Sequence, residues 1–111
     1  MSNNLSELLK RAVSKYKSIF GDSLVQVILY GSYARGDFDE ESDVDIVALV
    51  RCDRETISGC SRAMAMFSSE LDLDYGIMVS PSALPYDEFI RYRDDLPYYA
   101  NIAREGVELI A

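Results

Sequence analysis

Two aspartates, Asp43 and Asp45, stand two residues apart at the head of the apolar run Val44-Asp45-Ile46-Val47-Ala48-Leu49-Val50. On a strand this spacing points both side chains to one face. Unpaired carboxylates that close repel and resist ionising together. Hard divalent cations supply a reason for the pair, because Mg²⁺ binds through a few carboxylates plus substrate phosphates. Two such ions about 3.5–4 Å apart can clamp the attacking and leaving oxygens of a phosphoryl centre. The bland alternative is a solvated strand end carrying acids.

Gly31-Ser32 weighs against that alternative. The glycine directly follows the short apolar run Leu24–Tyr30. Glycine there lets backbone N–H groups approach an anion closely, and the serine adds a hydroxyl donor. A helical turn over Ser32 to Arg35 would aim further N–H groups at phosphates. Arg35 has two readings, pairing with a phosphate or holding the loop by an internal ion pair, and Gly36 serves the turn. Gly-Ser alone is a weak signal. Followed after ten residues by Asp-x-Asp entering a strand, it becomes a strong one. A third acid is sought further along, where Asp72 and Asp74 share parity. Asp74 lies deeper in the expected strand and is favoured as shared metal ligand and as base for an incoming hydroxyl. Asp72 remains its competitor.

The elements that must position these residues follow from periodicity. Leu5, Leu8, Leu9, Ala12, Tyr16, Ile19 and Phe20 share one helical face, with N-caps on offer from Ser2 to Asn4 and a stop at Gly21. Leu24–Tyr30 and Val44–Val50 read as buried strands. A helix is expected from Arg54 to Leu71, with Ile57, Cys60, Met64, Phe67 and Leu71 packing on the sheet. Leu73–Val79 is expected as a third strand, broken by Ser80-Pro81-Ser82. Two short helices follow, Pro85–Tyr92 and Pro97–Arg104, each opened by proline. Gly106 ends the second, and Val107–Ile110 reads as a short edge strand. The short link from Tyr30 to Asp43 puts the end of strand one near the start of strand two. A crossover helix then returns the chain, so strand three starts beside strand two.

Length and composition set outer limits. The 111 residues make one domain, 1–111, and its 49% hydrophobic and 27% charged content argues against disorder. No apolar stretch approaches the roughly 20 residues of a membrane helix, and the first residues do not resemble a secretory signal. Cys52 and Cys60 form no CxxC pair, and they read as small apolar filler in a reducing cytoplasm. With no histidine in the chain, Ser-His-Asp and Cys-His catalysis are excluded. The net charge of −8 argues against a stand-alone nucleic-acid binder. It suits a basic protein partner, or a small anionic substrate reached through a divalent cation.

Gly31-Ser32-Tyr33-Ala34-Arg35-Gly36 followed by Ser42-Asp43-Val44-Asp45 resembles the signature of the minimal nucleotidyltransferases (MNT), within the DNA polymerase β-like nucleotidyltransferase superfamily. The resemblance is specific over about residues 24–50. It continues more loosely through Asp74 and the tail Leu96-Pro97-Tyr98-Tyr99 … Ile102-Ala103-Arg104-Glu105-Gly106-Val107. It implies an α+β fold, a mixed β-sheet with helices packed on it. It also implies ATP held through two Mg²⁺ ions, with Gly31 and Ser32 at the triphosphate and Asp43, Asp45 and Asp74 as metal ligands. Many small members are antitoxins encoded beside a HEPN-domain ribonuclease toxin, and several transfer AMP to a tyrosine of that toxin.

The expectation is therefore a cytoplasmic enzyme moving AMP from ATP to a hydroxyl of a HEPN-type partner protein. No acceptor domain accompanies the site, so the acceptor is expected to bind from outside, and the oligomeric state is left open. Two alternatives stand beside this: an antitoxin that masks its toxin by contact alone, and the catalytic subunit of a small-molecule nucleotidyltransferase. Tyr98 and Tyr99 are candidate partner-surface residues, while Arg91, Arg93 and Arg104 read as either acceptor guides or a solvated helix face.

Overall fold

A computed structural model describes residues 3–110. The chain runs α1 (Asn3–Phe20), β1 (Leu24–Tyr30), α2 (Ser32–Arg35), β2 (Val44–Val50), α3 (Arg54–Gly59), α4 (Ser61–Tyr75), β3 (Val79–Pro85), α5 (Tyr86–Tyr92), α6 (Pro97–Glu105) and β4 (Val107–Ile110). Of the N-caps expected for α1, Ser2 lies outside the described residues. The four strands form one mixed sheet in the order β3-β2-β1-β4. β1 is antiparallel to β2 and to β4, whereas β2 and β3 run parallel. As expected, the end of β1 meets the start of β2, with Tyr30 opposite Asp45. The crossover likewise brings the start of β3 beside that of β2, with Val44 opposite Val79.

Strand alternation divides the core between the two faces of the sheet. On one face Val27, Leu29, Val44, Ile46, Ala48 and Val50 pack with Leu5, Leu8, Leu9, Ala12, Tyr16 and Phe20 of α1 and Met64, Phe67 and Leu71 of α4. On the other face Ile28, Val47, Leu49 and Leu84 pack with Phe89 of α5 and Tyr99 and Ile102 of α6. Asp45 shares parity with Val47 and Leu49, so it belongs to the α5–α6 face. Among the described residues no helix is long and apolar enough to cross a membrane.

Two expected elements are revised. The single helix over Arg54–Leu71 is two helices divided at Cys60. Asp53 caps the first by accepting the Thr56 N–H at 2.8 Å, and Ser58-Gly59-Cys60-Ser61, a run of weak helix formers, lets it stop. The larger revision concerns the third strand, which covers Val79–Pro85 and not Leu73–Val79. α4 continues through Asp72 and Asp74 because Leu71, fully buried, extends the stripe of Met64 and Phe67. It ends at Gly76, whose left-handed φ of 66° lets its N–H reach the Asp72 carbonyl. Ser80-Pro81-Ser82 lies inside β3. Proline is tolerated there because an edge strand has an open side that needs no N–H donor. The buried Tyr16 hydroxyl supports this edge, accepting from the Ser82 N–H at 3.1 Å and donating to the Ser82 carbonyl at 2.8 Å.

Candidate active site

Gly31 leaves β1 with φ 76° and ψ −155°, a region essentially restricted to glycine. The reason lies across the strand pair: a Cβ at this position would overlap Asp45 Oδ2. The glycine backbone thus lies directly against the Asp45 carboxylate. Its carbonyl accepts the N–H groups of Ala34 and Arg35, both at 3.1 Å, which folds Ser32–Arg35 into one helical turn. Gly36 closes the turn with φ 82°.

A second turn delivers Asp43. The Asp39 carboxylate accepts the Glu41 N–H at 2.9 Å and the Ser42 hydroxyl at 3.1 Å, and the Asp39 N–H donates to Ser42 Oγ at 3.0 Å. This local pattern sets the entrance to β2. Asp43 stands exposed just before the strand, and Asp45 is half-buried one step inside it. Burial pushes the Asp45 carboxyl above its ordinary range, the Asp43 charge adds to the rise, and Arg35 opposes it. The two acids therefore lack sufficient positive charge of their own, and their oxygen donors fit a hard divalent cation.

Arg35 takes the second of its two expected roles. It donates to Asp37 at 3.1 Å and to Glu105 at 3.0 Å, tying the loop after β1 to α6. Those two carboxylates raise the Arg35 guanidinium further. Glu105 was not singled out from sequence. Its only signal was a charge opposite to Arg35, and 70 residues separate the two.

Asp74, expected on strand three beside the pair, is in the last turn of α4, where Arg11 donates to it at 2.6 Å. Arg11 also lies over the Tyr75 ring, and the hydrogen bonds it donates to Tyr75 and Asp74 raise its guanidinium. Asp72 is on the same helix. That helix packs on the α1 face of the sheet, not on the face that carries Asp45. Among the described residues, no three acidic or cysteine side chains come together as a metal-holding group. The structure thus unites Gly31, Ser32, Asp43 and Asp45 and leaves Asp72 and Asp74 apart.

What flanks Asp45 instead is a set of hydroxyls. Ser80 is its register partner on β3 and Tyr30 its partner on β1. The Tyr30 and Tyr98 hydroxyls are 2.9 Å apart, and their rings meet edge to face. Burial, before all else, and then Tyr98 push the Tyr30 phenol up; Ser82 acts in the opposite sense. Tyr98 is half-exposed. Tyr99 is buried, its hydroxyl accepting from Arg54 at 2.9 Å. Tyr30 is detectable in principle, since the last residue of β1 must lie opposite the first residues of β2 across a short link.

Residues 5–102 match the nucleotidyltransferase domain family. A protein of Methanocaldococcus jannaschii described as a "putative protein adenylyltransferase" is 41% identical over 75 residues, covering 68% of this chain and 74% of that protein. Another from the same organism with that description is 29% identical over 104 residues, covering 93% of this chain and 95% of the other. The fold superposes on a chain of a toxin–antitoxin complex solved with AMP-PNP, with TM-score 0.59, 15% identity and coverage of 93% and 73% of the two chains. It also superposes on a chain of a complex between a tri-AMPylated Shewanella oneidensis HEPN toxin and an MNT antitoxin, with TM-score 0.55, 14% identity and coverage of 96% and 71%. At such identities the structural likeness speaks for the fold alone.

Proposed function

The chain belongs to the nucleotidyltransferase domain family, and on that premise we propose that it moves AMP from ATP to a hydroxyl, a tyrosine in our reading, of a HEPN-type partner protein. In this reading it acts as the partner's antitoxin. The observation that carries the reading is the contact of the Gly31 backbone with the Asp45 carboxylate, with Asp43 two residues away. It brings the glycine turn, which we read as the phosphate loop, against the two acids that we read as the cation-holding pair. The relatives described as adenylyltransferases support AMP as the transferred group, and the structural neighbours solved with AMP-PNP and with an AMPylated toxin support the nucleotide and the partner.

In the transfer the acceptor oxygen bonds to the α-phosphorus. The bond from that phosphorus to the α–β bridging oxygen breaks, and pyrophosphate leaves with the electron pair. The acceptor's proton passes to solvent. Ser32 and the N–H groups opening α2 orient the phosphates. Asp43 and Asp45 are the residues that would hold Mg²⁺, and the ion would supply neutralisation of phosphate charge and electrophilic activation of the α-phosphorus. Catalysis is then mostly positioning and electrostatics. Arg35, bound to Glu105, keeps the phosphate loop in register with α6.

The test uses purified protein, Mg²⁺, ATP labelled in its α-phosphate and a HEPN-type partner. Label should appear on the partner and vanish with Asp43→Ala/Asp45→Ala. No transfer from any nucleotide, or full transfer by the double variant, overturns the proposal. A double variant that still neutralises the partner in cells would favour masking by contact.

A further inference from the structure

The strand that flanks the carboxylate pair carries no carboxylate of its own. β3 lies parallel to β2 with Asp45 opposite Ser80 and Val47 opposite Ser82. Register partners on parallel strands point to the same side of the sheet. The side chains beside Asp45 on the α5–α6 face are therefore serine hydroxyls. The stretch of chain that could have brought an acid there, Asp72 to Asp74, is drawn into α4, and the Val44 N–H donates to the Met78 carbonyl at 2.9 Å to start the ladder four residues beyond Asp74. Asp74 is further held by Arg11, which would have to be released for it to serve elsewhere.

Two divalent ions side by side bring four positive charges into one small volume. Their mutual repulsion must be offset by bridging oxygens, and each ion needs a nearly complete octahedron of hard donors. Asp43 and Asp45 together with triphosphate oxygens complete such a set for one ion. A neutral serine hydroxyl adds no negative charge for another.

We infer that the site is built for one divalent cation per bound nucleotide, with Ser80 of β3 in the position from which a third carboxylate would serve a second ion. The inference rests on reading Asp43 and Asp45 as the cation-holding pair. It makes this chain a nucleotidyltransferase whose acceptor hydroxyl meets no cation of its own.

Counting Mn²⁺ tests this directly. The full chain is equilibrated with Mn²⁺ and a non-hydrolysable ATP analogue with a methylene group between the α- and β-phosphorus. Bound nucleotide and bound Mn²⁺ are then quantified together, the metal by electron paramagnetic resonance. One Mn²⁺ per bound nucleotide is expected, without the spectral broadening of a coupled Mn²⁺ pair. Ser80→Asp should raise the count to two and introduce that broadening, and Asp74→Asn should leave the wild-type count at one.

Two ions in the wild-type chain overturn the inference while leaving the proposed function intact. So does a tenfold or greater loss of Mn²⁺ affinity in Asp74→Asn, which would place that acid at the site. A count of one in Ser80→Asp, with folding confirmed by circular dichroism, overturns the role given to Ser80. If that variant does not fold, the wild-type count and Asp74→Asn still decide. Absence of nucleotide-dependent Mn²⁺, or binding unchanged in Asp43→Ala/Asp45→Ala, overturns the underlying reading of the pair itself.

Discussion

The chain contains the same three-residue pattern twice, Asp43-Val44-Asp45 and Asp72-Leu73-Asp74, and the two copies have different fates. The first enters a strand, where residues two apart share a face, and its acids face the same side beside Gly31. The second sits in the last turns of a helix, where residues two apart are about 200° apart around the axis. There the acids diverge, and the exposed Asp74 pairs with Arg11 across the α1–α4 contact. The intervening apolar residues show the same contrast. Val44 is fully buried and Leu73 is 86% exposed. Two acids can share a ligand only when the backbone period turns both toward one point and no ion pair already ties one of them elsewhere.

The largest expected break in this contrast is catalytic. Asp43→Ala/Asp45→Ala should reduce AMP transfer on the order of 10³-fold or more, whereas Asp72→Asn/Asp74→Asn should change it by less than about threefold, the two groups being surface charges away from the pair. Initial rates on the same partner protein measure both. A loss in the second pair to match the first would mean that the helix end unwinds to deliver its acids.

Gly31→Ala comes next. Its methyl group meets Asp45 Oδ2, so the loop must shift. Transfer should fall by about 100-fold, the scale of a misplacement near 1 Å, and stability should fall by about 1–3 kcal/mol from the unfavourable backbone conformation. Denaturant titration of the cation-free protein separates the second effect from the first.

A smaller effect tests the electrostatics of the strand pair. The Asp45 carboxyl is held above its ordinary value of 3.8, by burial first and by Asp43 second. The folded state thus binds this proton more readily than the unfolded state. Ionised Asp45 opposes folding at neutral pH, and that opposition fades as pH falls through its raised folded value. Asp45→Asn should therefore raise the Tm of the cation-free protein at pH 7, by an amount that shrinks toward pH 4. Thermal melts at both pH values with a chelator present check this, and a lower Tm at pH 7 would refute it.

The smallest effect belongs to the helix pair. Asp74→Asn removes an ion pair whose side chains are 39% and 53% exposed, so it should lower Tm only marginally in thermal melts, and less at high salt. The same loss should follow from Arg11→Gln without adding to it.

Much of this arrangement was legible along the chain. The limits of β1 and β2, the parallel return of β3 and the edge strand at Val107–Ile110 all follow from local period and link length. The limits of β3 did not. Leu71-Asp72-Leu73-Asp74 alternates like a strand, yet Leu71 also completes a helical stripe, and over four residues the two periods are indistinguishable. Proline at Pro81 looked like a strand breaker because the edge position that tolerates it is a property of the sheet. Arg35 offered two roles, and only the presence of Glu105 selected one.

The sequence by itself determined the pair and its neighbour, because Asp43, Asp45 and Gly31 depend only on a strand, a short link and a second strand, each encoded within a few residues. Tertiary structure alone decided what surrounds them. Ser80 beside Asp45, Glu105 on Arg35 and Arg11 on Asp74 are meetings between residues 35 to 70 positions apart. No local period specifies such meetings; they arise when both faces of the sheet have been packed and the chain has returned.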